Sequence, residues 1–166
     1  MVYPLFPLIH NEINLIVYDF DGVMTDNRVL VLQDGTEAVF ANRADGLGVN
    51  LIRGMGIPQL ILSTETNPVV QVRATKLGIE AINGCADKCD ALTQYCTRHG
   101  MDMSRVVYIG NDTNDLEVME AVGYPVSPAD AHESVKAIAC IVTRARGGEG
   151  VVKEFAEMLE ANRVES

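Results

Sequence analysis

Two carboxylates stand two residues apart in the stretch Asp19-Phe20-Asp21-Gly22-Val23. The apolar run before them predicts a strand, so both should lie at its C-terminal end, where open α/β sheets bind their ligands. Carboxylates there can converge on a hard cation such as Mg2+, and a carboxylate whose charge is screened can attack phosphorus to give an aspartyl-phosphate. The alternative is that these aspartates only cap a turn.

Three more polar groups follow at predicted strand ends or helix starts. Ser63 closes a second apolar run, and Lys88 begins a helical segment. A third apolar run precedes the sequence Gly110-Asn111-Asp112-Thr113-Asn114-Asp115. Its carboxylate and amide oxygens are suitable ligands for a hard cation, and the alternative for Asn111 and Asp112 is that they cap a helix.

The elements that must position these residues alternate along the chain. Apolar runs predict strands over residues 13–19, 58–62, 79–82 and 105–109, with shorter ones over 124–126 and 139–142. Helical periodicity occupies residues 46–55, 69–77, 88–99, 114–122, 131–137 and 151–161. This order predicts an α/β fold with a doubly wound parallel sheet and helices on both faces.

One stretch interrupts the alternation. Two apolar runs flank Gln33-Asp34-Gly35, and the Asp-Gly turn predicts a β-hairpin over about residues 28–40. We expect this hairpin to form a flap beside the loop that follows the first strand. The length fits a single domain over residues 1–166, in which only residues 144–150 are expected to be flexible.

The stretch Asp19-x-Asp21-Gly-Val-x-Thr25-Asp26 resembles the first motif of the haloacid dehalogenase (HAD) superfamily, and Ser63, Lys88 and residues 110–115 resemble the other three motifs in order. The resemblance implies a Rossmann-like core and phosphatase activity, with Asp19 as nucleophile and Asp21 as general acid and base. Ser63 would hydrogen-bond the phosphoryl group, and Lys88 would neutralise phosphate and nucleophile.

The resemblance also implies a Mg2+ cofactor, held by Asp19, the backbone carbonyl of Asp21 and position 111. The family usually has Asp at that position, whereas this chain has Asn111. An amide oxygen can bind the cation but brings no charge, so we expect weaker affinity for Mg2+, with Asp112 as a further candidate ligand. Asp115 is expected to orient Lys88 or a metal-bound water.

Many members of the superfamily carry a cap domain between these motifs. Here about 40 residues separate Asp21 from Ser63 and about 25 separate Ser63 from Lys88. The predicted hairpin, helices and strands account for both intervals, so we expect no cap domain. The open site would then have to be closed by another subunit.

Within the superfamily, two glycine-rich stretches are similar to those of a capless group, the phosphatases of 3-deoxy-octulosonate 8-phosphate and of nonulosonate 9-phosphates. These stretches are Asp45-Gly46-Leu47-Gly48 and Arg146-Gly147-Gly148-Glu149-Gly150. This similarity implies a homotetramer with its hairpins around a central axis. It also implies that the substrate is a phosphorylated eight- or nine-carbon keto-sugar acid.

The spacing of Glu65, Arg73 and Lys76 resembles the nonulosonate type, in which these residues reach a neighbour's site and contact the sugar acid. Arg73 and Lys76 share a helix face and can bind a carboxylate together, although they also fit an ordinary solvated face. Thr64 and Arg43 are further candidates for substrate contacts. The alternatives are the 8-phosphate substrate, a phosphotransferase or mutase, and a non-catalytic tetramerisation module related to a domain of acylneuraminate cytidylyltransferases.

Composition narrows the possible partners. The chain has 13 basic and 23 acidic residues, a net charge of -10, which disfavours nucleic acid and anionic membranes as partners. The same charge disfavours a phosphorylated substrate unless a cation reverses the local potential. The chain lacks an apolar run of membrane-spanning length, and residues 1–14 lack a signal-peptide pattern, so we expect a cytoplasmic protein with reduced cysteines.

Overall fold

Six parallel strands form one sheet in the computed structural model, which describes residues 12–162. In spatial order they are β5 (Glu80–Ile82), β4 (Gln59–Leu62), β1 (Leu15–Tyr18), β6 (Val106–Ile109), β7 (Tyr124–Ser127) and β8 (Ile141–Val142). From β1 the chain first runs outward to β4 and β5, and then crosses to β6 on the other side. The strand order therefore reverses at β1 and β6, which is where doubly wound sheets bind their ligands.

The central strands are buried because helices cover both faces of the sheet. Every residue of β1, β4 and β6 is buried. Ile16 and Tyr18 of β1 pack into the hydrophobic cluster on one face, and Leu15 and Val17 pack into the cluster on the other. Strands buried in this way have continuous apolar sequences, and all six predicted strands are confirmed.

The helices within the described residues largely follow the predicted periodicity. They are α1 (Arg43–Gly54), α2 (Val69–Leu77), α3 (Lys88–His99), α4 (Leu116–Ala121), α5 (Glu133–Ile138) and α6 (Val151–Ala161). α1 begins three residues earlier than predicted because the Asn42 side chain accepts a hydrogen bond from the Ala44 backbone N–H and caps it. α4 begins later than predicted, behind a 3-10 turn over Thr113–Asp115.

The Asp-Gly-x-Gly stretch of α1 holds α6 in place. A Cβ on Gly48 would lie 2.7 Å from the backbone of Lys153, so a side chain there would force the two helices apart. The buried carboxylate of Asp45 accepts a hydrogen bond from the Val152 backbone N–H in the first turn of α6. Both contacts explain why this stretch combines an acidic residue with glycine.

The predicted hairpin is confirmed, with short strands β2 (Leu30–Val31) and β3 (Glu37–Ala38). Val39 packs against the edge of the core, but most of the hairpin's apolar side chains do not. Five large ones are between 46% and 72% exposed, namely Val29, Leu30, Val31, Leu32 and Phe40. Residues 12–162 contain no separate cap domain, as the short intervals from Asp21 to Ser63 and from Ser63 to Lys88 predicted.

The glycine-rich segment of residues 144–150 was expected to be flexible, and this prediction is wrong. The Gly148 backbone N–H donates to the Val23 backbone oxygen at 3.1 Å, and the Gly148 oxygen accepts from Asn42 Nδ2 at 3.0 Å. A Cβ on Gly147 would lie 2.2 Å from the Gly22 backbone oxygen. The missing side chains therefore allow close backbone packing against the loop after β1.

Two short terminal stretches, residues 1–11 and 163–166, lie outside the described residues. They include most of residues 1–14, for which no signal peptide is expected, and both ends of the predicted single domain. Between residues 12 and 162, none of the helices has the length and apolar character needed to cross a membrane.

Candidate active site

The carboxyl ends of β1, β4 and β6 bring most of the predicted site residues to one edge of the sheet. Tyr18, the last residue of β1, pairs with Ile61 on one side and with Ile109 on the other. The residues that follow these strands therefore converge around a cavity of about 110 Å³. It is lined by Asp19, Asp21, Asn27, Ser63, Thr64, Asn111, Asp112 and Asn114.

Lys88 reaches this edge from the first turn of α3, where it is buried with two carboxylates. Its Nζ lies 2.9 Å from Asp19 Oδ1 and 2.6 Å from Asp115 Oδ1. Burial lowers the pKa of Lys88, but Asp19 and Asp115 outweigh this effect and raise that pKa above its usual value. Lys88 is therefore a stable cation between the two carboxylates.

Both oxygens of the buried Asp115 carboxylate are occupied by donors of the protein. Oδ1 accepts from Lys88 Nζ at 2.6 Å and from the Tyr108 hydroxyl at 2.8 Å. Oδ2 accepts from the backbone N–H groups of Asn111 at 2.9 Å and Asp112 at 3.3 Å. The predicted contact with Lys88 is present, and the same carboxylate also fixes the loop after β6.

Tyr108 is a candidate functional residue that none of the sequence motifs indicates. Burial and the Asp115 carboxylate raise the pKa of Tyr108 well above its usual value, so its hydroxyl stays protonated and donates a hydrogen bond to Asp115. The sequence feature that could have indicated Tyr108 is its single hydroxyl within the otherwise apolar strand β6, because a buried tyrosine needs a hydrogen-bond partner.

The Asp19 carboxylate faces the cavity but is only partly stabilised there. Its Oδ1 accepts from the Phe20 backbone N–H at 2.7 Å and lies next to Lys88. Burial, and after it the Asp115 carboxylate, raise the pKa of Asp19 to about 7, although Lys88 acts in the opposite direction. A further positive charge nearby would lower this pKa and favour the ionised carboxylate.

Asp21 lies at the mouth of the cavity in a loop held by the Thr25 hydroxyl. This hydroxyl donates to Asp21 Oδ1 at 3.3 Å and accepts from the backbone N–H groups of Gly22 and Asn27, each at 3.2 Å. Burial raises the pKa of Asp21 above its usual value, although the bond from Thr25 opposes the shift. A raised pKa suits a carboxyl group that must both give and take a proton.

The Asn111 amide packs against Gly22 and faces two acceptor oxygens, the Asp21 backbone oxygen and Asp19 Oδ2. A Cβ on Gly22, whose φ is 84°, would lie 1.9 Å from the amide nitrogen, so only glycine fits. With its nitrogen toward Gly22, the amide places its oxygen 3.0 Å from both the Asp21 backbone oxygen and Asp19 Oδ2. With the amide turned over, its nitrogen would donate to both oxygens instead.

With the amide oxygen of Asn111 facing the other two, these three oxygens are of the type that a hard cation prefers, so the residues fit the predicted Mg2+. With the amide nitrogen facing them, Asn111 satisfies both other oxygens by itself. Within residues 12–162, there is no group of three His, Cys, Asp or Glu side chains that could hold a metal ion. A backbone oxygen and an amide oxygen would therefore have to complete the ligand set.

Asp112 has a capping role as well as a place at the cavity. Its Oδ1 accepts from the Thr113 backbone N–H at 2.7 Å, and it forms a capping box with Asp115. The capping alternative thus applies to Asp112, which also lines the cavity beside Asn111.

A larger cleft of about 280 Å³ lies beside the cavity and shares Asp21 and Asn27 with it. The hairpin forms one wall of the cleft, as expected for a flap, and the segment before α2 forms the other. The remaining lining residues are Arg28, Val29, Glu37, Val39, Glu65, Asn67 and Val69.

The predicted substrate contacts divide between this cleft and the outer surface. Glu65 lines the cleft, although its Oε1 accepts from the backbone N–H groups of the next two residues. Arg73 is half-buried and points toward α1, where its Nη2 donates to the Asn42 backbone oxygen at 2.8 Å. Lys76 and Arg43 are exposed, and neither of them nor Arg73 lines the cavity or the cleft.

Sequence comparison places the chain among proteins with related chemistry. A family model described as haloacid dehalogenase-like hydrolase matches residues 62–155. The 3-deoxy-D-manno-octulosonate 8-phosphate phosphatase KdsC of Yersinia pestis is 33% identical over 149 residues, which are 89% of this chain and 80% of that protein. KdsC of Escherichia coli K12 is 32% identical over 149 residues, covering 89% of this chain and 79% of that protein.

Solved structures share the same fold. A protein of Streptomyces avermitilis, described only as a HAD family hydrolase, is 44% identical with a TM-score of 0.89, covering 93% of this chain and 96% of that one. The 3-deoxy-D-manno-octulosonate 8-phosphate phosphatase of Moraxella catarrhalis, solved with magnesium, phosphate and KDO, is 30% identical with a TM-score of 0.88, covering 93% and 89%. A cobalt-bound Haemophilus influenzae phosphatase of that name is 28% identical with a TM-score of 0.87, covering 93% and 91%.

Proposed function

Because the chain belongs to the haloacid dehalogenase-like hydrolase family, we propose that its cavity is the active site of a Mg2+-dependent phosphatase for a phosphorylated keto-sugar acid. The observation that carries this proposal is the buried Asp19 carboxylate, which lies 2.9 Å from Lys88 Nζ and lines the same cavity as Asp21 and Asn111. The relatives named as sugar-acid phosphatases support hydrolysis of a phosphate monoester as the activity.

The proposed reaction has two steps. Asp19 attacks phosphorus, the bond between phosphorus and the sugar oxygen breaks, and Asp21 gives its proton to the leaving oxygen. Asp21 then takes a proton from a water molecule, whose oxygen attacks phosphorus and displaces Asp19, so that inorganic phosphate leaves. The raised pKa of Asp21 supports the first role, because it favours the protonated acid.

Ser63 and Lys88 would stabilise the phosphoryl oxygens. The buried Ser63 hydroxyl accepts from the Glu65 backbone N–H at 3.1 Å, so its own proton is free to donate to the substrate. Asp19, the Asp21 backbone oxygen and Asn111 would hold Mg2+, which would supply positive charge in addition to that of Lys88. Asp115 would act through Lys88, which it orients.

For the substrate, we favour a nonulosonate 9-phosphate because of the spacing of Glu65, Arg73 and Lys76. Glu65 lines the cleft of its own chain. Arg73 and Lys76 lie on α2 outside that cleft, which is compatible with contacts to a substrate in a neighbouring subunit. Thr64, exposed beside Ser63 in the cavity, is a further candidate contact. The second candidate is 3-deoxy-octulosonate 8-phosphate, which the names of the relatives favour.

The working unit would be a homotetramer in the cytoplasm, with each site closed by a neighbour. The exposed apolar hairpin supports this assembly, because water-exposed Leu30 and Val31 would be buried by packing against other copies. The same hairpin forms a wall of the cleft, so its packing would also fix the shape of the substrate site.

The test is release of inorganic phosphate from nonulosonate 9-phosphates, 3-deoxy-octulosonate 8-phosphate and small phosphate esters, with Mg2+ or with EDTA. We expect turnover of a keto-sugar acid phosphate only with Mg2+, and none by Asp19→Asn. Asp102→Asn, which changes an exposed cap on the 3-10 turn before β6, is the matched control and should retain activity.

The remaining outcomes separate the alternatives. A preference for the 8-phosphate would select the second candidate, and a preference for unrelated small esters would exclude a sugar-acid substrate. Isomerised sugar phosphate without free phosphate would identify a mutase. A wild-type chain that assembles but releases no phosphate from any ester would favour the non-catalytic tetramerisation module.

A further inference from the structure

Asn27 adopts a backbone conformation that side chains usually avoid. Its φ is 64°, and every other described residue with positive φ is a glycine. Left-handed backbone is unfavourable for residues with a Cβ, although asparagine tolerates it better than most. Glycine would fit this turn more easily, so the presence of a side chain at this position requires a reason. Strained residues of this kind cluster at functional sites.

Asn27 lies where the cavity and the cleft meet. Asn27 and Asp21 are the two residues that line both. The cavity contains the Asp19 carboxylate, whereas the cleft extends toward the hairpin. A phosphate ester bound at Asp19 would therefore pass Asn27 where its phosphoryl group joins its carbon chain.

The backbone of Asn27 is held in a fixed relation to Asp21. The Thr25 hydroxyl accepts from the Asn27 N–H at 3.2 Å and donates to Asp21 Oδ1 at 3.3 Å. The next residue, Arg28, is fixed by Asp26, whose Oδ2 accepts from Arg28 Nη2 at 2.6 Å. The Asn27 amide itself has no hydrogen-bond partner among residues 12–162, so its oxygen and its NH2 group are both free to bind a ligand.

We propose that Asn27 determines specificity by hydrogen-bonding the substrate at the junction between its phosphoryl group and its carbon chain. The inference rests on the proposed function and adds a requirement to it. An amide offers one acceptor and two donors, which match a hydroxyl on the carbon next to the ester, because a hydroxyl both donates and accepts. Asn27 would thus favour esters of polyhydroxylated chains over esters that carry no such hydroxyl.

The test compares the wild type with Asn27→Gly, because glycine keeps the backbone conformation and removes only the amide. The two substrates are the keto-sugar acid phosphate that the wild type hydrolyses and phenyl phosphate, which has no hydroxyl beside the ester. For the sugar phosphate we expect KM to rise about five-fold, the effect of one or two lost hydrogen bonds, with kcat within about two-fold. For phenyl phosphate both constants should stay within about two-fold, and the melting temperature should not fall.

Two further variants make the result specific. Asn27→Asp keeps the shape but loses the NH2 donors and adds a negative charge beside Asp21, so KM for the sugar phosphate should rise more than in Asn27→Gly. Gly56→Asn is the control, because it places asparagine at a φ of 76° in open space at the opposite end of β4. It should leave KM for both esters unchanged.

Each contrary outcome has a distinct meaning. An unchanged KM for the sugar phosphate in Asn27→Gly overturns the role of Asn27 while leaving the proposed function intact. Equal increases of KM for both esters overturn it too, because they indicate a change in the phosphoryl site or the backbone. A wild type that hydrolyses no keto-sugar acid phosphate overturns the proposed function and this inference with it.

Discussion

Replacing Asp115 with asparagine removes one acceptor oxygen from a site where four donors meet. Lys88 and Tyr108 donate to Oδ1, and the backbone N–H groups of Asn111 and Asp112 donate to Oδ2. An amide has one oxygen, so in either orientation two of the four donors face an NH2 group. The substitution is nearly isosteric, and its effect therefore comes from hydrogen bonding and charge alone.

The size of the effect follows from the burial of these donors. A buried donor without a partner costs about 1–3 kcal/mol, so two of them cost about 2–6 kcal/mol. Lys88 keeps Asp19 at 2.9 Å and does not become an unpaired buried charge, so a middle value of about 4 kcal/mol is expected. Asp115→Asn should still fold, with a melting temperature lower by about 10 °C.

The same change should shift the pH dependence of activity. The Asp115 carboxylate raises the pKa of Asp19, so its removal should lower that pKa. Asp19 would then be ionised at lower pH, and the acid limb of kcat/KM should move to lower pH. The value of kcat should fall by about a hundred-fold, because Lys88 loses the carboxylate that positions it.

The measurement is urea unfolding followed by far-UV circular dichroism in EDTA, since the chain has no tryptophan. Asp112→Asn is the control, because it keeps an acceptor for the Thr113 cap at an exposed position and should cost less than about 0.5 kcal/mol. If Asp115→Asn matched this control within about 1 kcal/mol, the role of Asp115 as acceptor for four buried donors would be refuted.

Three other changes test separate parts of the structure. Burial raises the pKa of Asp45 to about 6, so its contribution to stability is full below about pH 4 and is lost as pH rises through 6. The free energy of unfolding of Asp45→Asn should therefore be compared with that of the wild type at two pH values by urea unfolding. The difference should be more favourable to the variant at pH 8 than at pH 4, by up to about 3 kcal/mol. Asn111→Asp should strengthen Mg2+ binding by about ten-fold in calorimetry, because it adds a negative charge next to Asp19. Val31→Glu should leave the unfolding free energy within about 0.5 kcal/mol, because Val31 is exposed, but should reduce the sedimenting mass.

The order of the strands and helices is predictable because burial on both faces leaves a simple pattern in the sequence. Strands β1, β4 and β6 are apolar apart from Gln59 and their tyrosine hydroxyls, and their polar continuations, such as Asp19 and Ser63, mark the strand ends. Parallel pairing then brings those ends to one edge without further information. The location of the candidate site follows from this local pattern.

The contacts within the site are less predictable because they join residues that are distant in sequence. The pairing of Lys88 with Asp115 spans 27 positions, and Tyr108 joins it from a strand whose sequence is otherwise apolar. The packing of Gly147 against Gly22 is even harder to predict from the sequence, since a glycine in a polar stretch is compatible with a flexible loop as well as with a close backbone contact. Composition alone cannot separate these two cases.

The acidic composition and the phosphate chemistry become compatible only through the local arrangement of charge. Asp19, Asp21 and Asp112 line the cavity with Asp115 buried behind Lys88, and Lys88 is the one buried cation among residues 12–162. The resulting excess of negative charge would repel a phosphoryl group, and it is one cause of the raised pKa of Asp19. A divalent cation at the three oxygens would reverse both effects. An amide at Asn111 holds that cation less strongly than a carboxylate would, but it leaves one negative charge fewer for the phosphoryl group to approach.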